Sequence, residues 1–181
     1  RWERLVDLAH AERVDLSAHG FYATPGLVYD MAAERGSPFA YHVYGCAAVT
    51  AWLDVLRGTY RLERAVIVHD GGESIDPSVD LGQLEGAFAQ GAGWSVLEEL
   101  LYDGKGSLMS DTLSTYKVPD MGFMPELEAE FLEGAPNPKA VMRSKAIGEP
   151  PLMYGIAAYF AVLDALRAAR PDLPAFYDLP M

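Results

Sequence analysis

LRGTYRLERAVIVH, Leu56–His69, decides the fold. Leu56-Arg57-Gly58-Thr59 reads as a tight turn, and from Tyr60 to His69 the residues alternate as a strand with one buried face would. Before the turn, Phe39 to Leu53 is rich in aromatic and β-branched residues and reads as a long strand. Two strands flanking a short turn predict an antiparallel hairpin. Helical spacing on both sides of that hairpin makes the chain α+β, a mixed or antiparallel sheet with packed helices rather than a doubly wound sheet.

Working outward, Arg1 to Val14 has helical spacing through Trp2, Leu5, Leu8 and Ala9, and Val14 to Tyr22 reads as a short strand. Thr24-Pro25-Gly26 and Arg35-Gly36-Ser37-Pro38 are turn signals. After His69, a loop closes at Asp76-Pro77, and Asp80 is placed to cap a helix over LGQLEGAFAQGAGWSVLEELL. Gly82, Gly86, Gly91 and Gly93 are unusual in it, since each costs about 1 kcal/mol against Ala in a helix interior. They imply close approach, either of another backbone or of a ligand. Ser114 to Val118 reads as extended, Leu127 to Glu133 as a half-buried strand, and Pro151 to Ala169 as the last helix, stopped by Pro171. The tail from Pro171 to Met181 reads as a surface strap or as a segment packing on something outside the chain.

The totals exclude several functions. With 181 residues, half of them apolar, the chain suits one globular domain over residues 1–181. A formal charge of −12 argues against nucleic acid and against an anionic membrane surface. The single cysteine, Cys46, cannot form an internal disulfide or hold an iron–sulfur cluster alone, and reads as an inert thiol. No signal peptide is visible, the longest apolar run, in the 151–163 region, is too short to span a bilayer, and a cytoplasmic setting is expected.

KAIGEPP, Lys145–Pro151, raises the chemical question. Pro150 suits the first helical position, which makes Glu149 the N-cap in extended geometry, favoured by the helix dipole. Yet Glu is a poor capping residue, and the helix it opens is apolar nearly all round, so its start is expected to point into protein. A buried carboxylate there is a candidate general base. Both readings, cap and base, stay open on spacing alone.

SKAIGEPPL (Ser144–Leu152), DLGQLEGAFAQGAGW (Asp80–Trp94) and LSTYKVP (Leu113–Pro119) resemble signatures of the molybdenum hydroxylases, the xanthine dehydrogenase and aldehyde oxidase family. VDLSAHGFYATPG (Val14–Gly26) and HDGGESIDPSVD (His69–Asp80) fit the same family in the same order, with xanthine dehydrogenase the nearer branch. The resemblance runs from about Trp2 to Arg170. It implies the C-terminal half of a molybdopterin-binding region, with Glu149 as catalytic base and Gln83 beside the cofactor. Gly82 and Gly148 are implied to let the backbone approach the cofactor.

In that family, molybdenum is held by the dithiolene of a pterin, so no protein metal ligand is expected. A purine or related heterocycle is oxidised with oxygen drawn from water, and the base takes the proton of the attacking oxygen. Iron–sulfur clusters and FAD are implied on other parts or subunits, as is the remainder of the molybdopterin domain, whose upstream pterin-binding loops and substrate-clamping residues do not stand in this sequence. The isolated chain is therefore expected to be inactive. Oxidation of aldehydes or other N-heterocycles, and a non-catalytic scaffold that keeps the fold, remain alternatives. Other residues read as structural: His69 as a hydrogen-bonded histidine, Ser144 and Lys145 as positioning their loop's backbone, and Glu98 and Glu99 as helix surface. Glu85 points away from Gln83. Asp76 stands where the family often has Asn, which touches only a turn.

Overall fold

In the computed structural model, residues 1–179 are described, and the chain divides into two compact units, Arg1–Pro38 and Phe39 onward. The first unit holds helix α1, Trp2–Ala11, and an antiparallel pair, β1 Val28–Asp30 and β2 Arg35–Ser37. The strand expected over Val14–Tyr22 does not form. Asp15 Oδ1 instead accepts from both the amide and the hydroxyl of Ser17, a local turn that competes with extended pairing.

The second unit is built on the hairpin. Strands β3, Gly45–Asp54, and β4, Thr59–His69, pair antiparallel from Gly45↔His69 to Asp54↔Thr59. The long strand expected from Phe39 is cut short at its start. Its partner ends at His69, so residues before Tyr44 have no ladder to join; the last backbone bond runs from Asp70 N to Tyr44 O at 2.8 Å. A register shift occurs opposite Thr50/Ala51, where Glu63 has no partner. It has a visible cause in burial. Leu62 is buried before Glu63, and Ala65, Ile67 and His69 after it, so the inward face changes from even to odd positions. A bulge absorbs that change of phase.

Strand β5, Glu126–Phe131, lies parallel to β4, with Arg64↔Glu126 and His69↔Phe131 at the two ends. The sheet is thus mixed, in the order β3-β4-β5. A parallel partner needs a crossover, and helix α2, Pro77–Val96, lies within it. Leu84, Phe88, Ala92 and Val96 form a stripe at four-residue spacing, all fully buried. Leu62, Ala65 and Ile67 of β4 join the same core. Helix α3, Ile156–Ala169, adds Ala158, Val162 and Leu166. Each fully buried Leu, Phe or Val contributes about 1.5–3 kcal/mol.

Three expectations about α2 are corrected. Its cap is Asp76, not Asp80: Asp76 Oδ1 accepts from Ser78 N at 3.1 Å and Val79 N at 3.3 Å, with Pro77 at the first position. The Ser78 hydroxyl, donating to the same oxygen at 2.7 Å, is the chief cause that holds the Asp76 carboxyl below its ordinary pKa, and the two amides add to it. Asp80 instead accepts from the Ser74 hydroxyl at 2.5 Å. The helix also ends at Val96, where the amides of Leu97 and Glu98 both turn back to Gly93 O. Glu98 therefore lies beyond the helix, and its carboxylate accepts from the Tyr116 hydroxyl. Nor is the stretch from Ser114 extended; Tyr116 N bonds to Thr112 O at 2.7 Å in a turn.

The last helical segment joins a 3₁₀ turn, Pro150–Gly155, to α3. Together they cover 20 residues, within which an 18-residue window has a mean hydropathy of 1.4, so by length and composition alone this segment is longer than the apolar run read from sequence and passes for a membrane span. Its Ala158, Val162, Leu163 and Leu166 are buried in the core of this unit. The tail after Pro171 straps onto α3. Arg167 donates to Pro174 O at 3.1 Å, and the Tyr159 hydroxyl donates to Tyr177 O at 2.9 Å. Pro180 and Met181 lie outside the described residues.

Candidate active site

Strands β4 and β5 run in one direction and end together at His69 and Phe131. The site candidates collect beyond that end. Asp70-Gly71-Gly72 leaves β4 and is zipped to the loop Arg143–Lys145. Lys145 N bonds to Gly71 O at 2.8 Å, Glu73 N to Arg143 O at 3.0 Å, and Gly72 pairs with Ser144. Gly72 has φ +69°, and a Cβ there would stand 2.7 Å from Arg143 O. Only glycine meets both conditions. Asn137, 3% exposed, donates to Ser144 O at 3.2 Å.

Two side chains lock this junction. Lys145 Nζ lies 2.5 Å from Asp70 Oδ2, with side-chain exposures of 11% and 3%. His69 is fully buried; its Nε2 lies 3.2 Å from Ala146 O and its Nδ1 2.7 Å from the Tyr154 hydroxyl. A carbonyl only accepts, so Nε2 carries the proton, and Nδ1 accepts from Tyr154. The structural reading of His69 and the positioning reading of Ser144 and Lys145 agree with this arrangement.

Burial also pushes the His69 pKa down, against smaller upward pulls from Ala146 O and Asp70. The unfolded chain takes up this proton near about pH 6.5 while the fold resists it. The contribution is complete above that pH and is lost as the pH falls toward the lowered folded value. Denaturation midpoints measured from pH 7.5 down to about 5 should fall in the native protein. In His69→Leu the fall should be shallower; an unchanged slope would remove His69 as its source.

The glycines of α2 divide into two sets. A Cβ on Gly91 would overlap Leu152 O, and one on Gly155 would overlap the backbone of Gly91. One on Gly93 would collide with Pro119. These glycines serve packing of the protein on itself. A Cβ on Gly82 or Gly86 would meet nothing within 4 Å. Those two, with Gln83, Ala87, Gln90 and Gly148, line an open cavity of about 330 Å³. Gly148 sits against Gln83, its would-be Cβ 3.5 Å from Oε1. Of the sequence-predicted residues, Gly82, Gln83 and Gly148 therefore share one cavity wall.

Glu149 follows Gly148 directly. It occupies the N-cap position with Pro150 after it, as expected, but three details differ. Its backbone is helical (φ −106°, ψ −43°) rather than extended, its side chain makes no capping hydrogen bond, and it is exposed rather than buried. The cause is the short 3₁₀ turn: Leu152 N bonds to Glu149 O at 3.1 Å, so Pro151 and Gly155 are the buried entry and Glu149 stands outside it. Asp70, Asn137 and Tyr154 are the residues of this region that sequence reading missed. Their partners lie far off in the chain, and no local pattern marks them. Among the described residues no three His, Cys, Asp or Glu side chains gather to hold a metal ion.

Residues 1–125 match the family of the molybdopterin cofactor-binding domain, and the chain belongs to that family, within the molybdenum hydroxylases. Among curated proteins it is similar to xanthine dehydrogenases. It is 45% identical to xanthine dehydrogenase/oxidase of Felis catus over 96% of this chain and 13% of that one. It is 42% identical to xanthine dehydrogenase of Dictyostelium discoideum over 98% and 14% respectively. The chain thus spans a small part of the length of these relatives. Among solved structures, quinoline 2-oxidoreductase from Pseudomonas putida 86 aligns with a TM-score of 0.59 at 31% identity, over 65% of this chain and 15% of that one. Aldehyde oxidoreductase from Desulfovibrio gigas aligns with a TM-score of 0.69 over 89% of this chain and 17% of that one; at 23% identity it speaks for the fold alone.

Proposed function

We propose that residues 1–181 form the C-terminal portion of the molybdopterin-binding region of a xanthine dehydrogenase-like hydroxylase that oxidises a purine or related heterocycle with oxygen from water. The observation that carries this is the set of glycines on α2 that the protein's own packing leaves unexplained. Gly82 and Gly86 face open space beside Gln83 and Gly148. Helix glycines that destabilise and touch nothing fit a wall shaped for a ligand.

Molybdenum on its pterin, when bound, supplies the two-electron oxidation and activates the water-derived oxygen. Gln83 would orient that group through its side-chain amide, and Gly82, Gly86 and Gly148 would let it approach the backbone. Glu149, exposed and without a capping partner, has a carboxylate free to accept a proton from the attacking oxygen. Electrons would leave through iron–sulfur clusters and FAD carried elsewhere, so the chain acts only in an assembly with the rest of the cofactor region.

Gly86→Leu tests the cavity. Leu is a better helix former than Gly by about 0.8 kcal/mol; its Cβ would meet nothing within 4 Å, and its side chain would take up space in the cavity that Gly86 lines. In the assembled enzyme the expected result is an unchanged or higher melting temperature with molybdenum and pterin content reduced several-fold. Full cofactor content in that variant would place the cofactor elsewhere.

A further inference from the structure

The imidazole of His69 touches the chain on both sides of Glu149. Nε2 donates to the carbonyl of Ala146, before it, and Nδ1 accepts from the hydroxyl of Tyr154, after it. The ring is fixed on a second flank by Phe131, edge-on with centroids 6.0 Å apart. Tyr154 is fixed in turn by Gly45 of β3, where any Cβ would overlap its hydroxyl. Inside the arc from Ala146 to Tyr154, Ile147 and Pro151 are buried, while Gly148 and Glu149 are exposed. The exposed pair is carried between anchors, and one ring couples those anchors.

We propose that His69, acting with Tyr154, is the positioning residue of Glu149: it holds both ends of the arc that presents the carboxylate beside the Gln83–Gly148 wall. This rests on the reading of Glu149 as the base. The ring can do so only in its neutral form with the proton on Nε2, because an imidazolium cannot accept from the Tyr154 hydroxyl. Tyr154→Phe frees one end of the arc and His69→Leu frees both. Neither touches the cavity wall. Misplacing a reacting group by about 1 Å can cost a hundred-fold in rate.

The test uses the assembled enzyme that carries this chain, with Tyr154→Phe, His69→Leu and each combined with Glu149→Gln. Three quantities are read: molybdenum content, hydrogen exchange over residues 146–154, and the rate of substrate-driven reduction across pH. In both single variants the content should be native and faster exchange confined to 146–154. Reduction should slow about ten- to a hundred-fold with a displaced pH profile. In the Glu149→Gln background neither should slow the reaction further. A native rate and pH profile in Tyr154→Phe and His69→Leu would make His69 purely structural and overturn the proposal. Additive slowing with Glu149→Gln would do the same. Should His69→Leu not fold, Tyr154→Phe carries the test alone. Near-native reduction in Glu149→Gln alone is a separate result: it removes the base assignment itself, and the proposal with it.

Discussion

Glu149→Gln in the assembled enzyme should leave cofactor content and melting temperature unchanged and slow reduction by substrate about a thousand-fold. The structural half of that expectation rests on what Glu149 does not do. Its side chain caps no helix and is exposed, so an isosteric amide disturbs no packing. The chemical half rests on charge. Glutamine keeps the shape and can still accept a hydrogen bond, but it cannot take up a proton. A positioned general base contributes about 10²–10⁴-fold, or roughly 3–5 kcal/mol of transition-state stabilisation. The measurement is single-turnover reduction by substrate under anaerobic conditions, beside metal analysis. A rate within about three-fold of native would take the base role from Glu149.

The second large effect is on stability. Lys145→Met should lower stability by about 3–5 kcal/mol, since it leaves Asp70, 3% exposed, as an unpaired buried charge. For a chain of this size that is a fall of roughly 6–20 °C in melting temperature. Gly72 N reaches Asp70 Oδ1 at 3.3 Å, which is too long to replace the ammonium. Exchange should rise first at Asp70–Glu73 and Arg143–Lys145, the two strips the pair joins. Converting Asp70 to Leu in the same chain should recover much of the loss, because desolvation and not attraction dominates a buried pair. Arg64 and Glu128 make the contrasting case. They form a bidentate pair at 2.7–2.9 Å with side chains about half exposed, and replacing either should cost at most about 1 kcal/mol.

How far the sequence could be read depended on the distance over which each determinant acts. The hairpin rests on local alternation and a turn with Gly58 at φ +65°, and it was legible. Strand β5 was legible as a strand, but not its parallel pairing with β4, since alternation marks a buried face and not a neighbour. The cap of α2 was misplaced by one turn because Asp76-Pro77 and Asp80 both offer an acid near the start; Pro77 at the first position decides it. Gln83 stood out only through the resemblance of whole motifs, whereas Glu149 was marked by its place between a glycine and two prolines, which left cap and base both open. The lock between His69 and Tyr154 spans 85 residues and that between Lys145 and Asp70 spans 75, and neither leaves a periodic trace.

The parallel pairing of β4 with β5 also sets an order of events in time. The hairpin closes over four residues, Val55–Gly58, whereas His69 must find Phe131 across 62 positions (131 − 69) and Ala146 across 77. Loop-closure entropy rises with length, and long-range contacts form slowly. On a growing or refolding chain the hairpin can therefore stand complete while the place for the cofactor does not yet exist. A cofactor delivered before that closure would meet only the α2 side of the cavity proposed for it, since the facing Gly148 lies 65 positions (148 − 83) beyond Gln83.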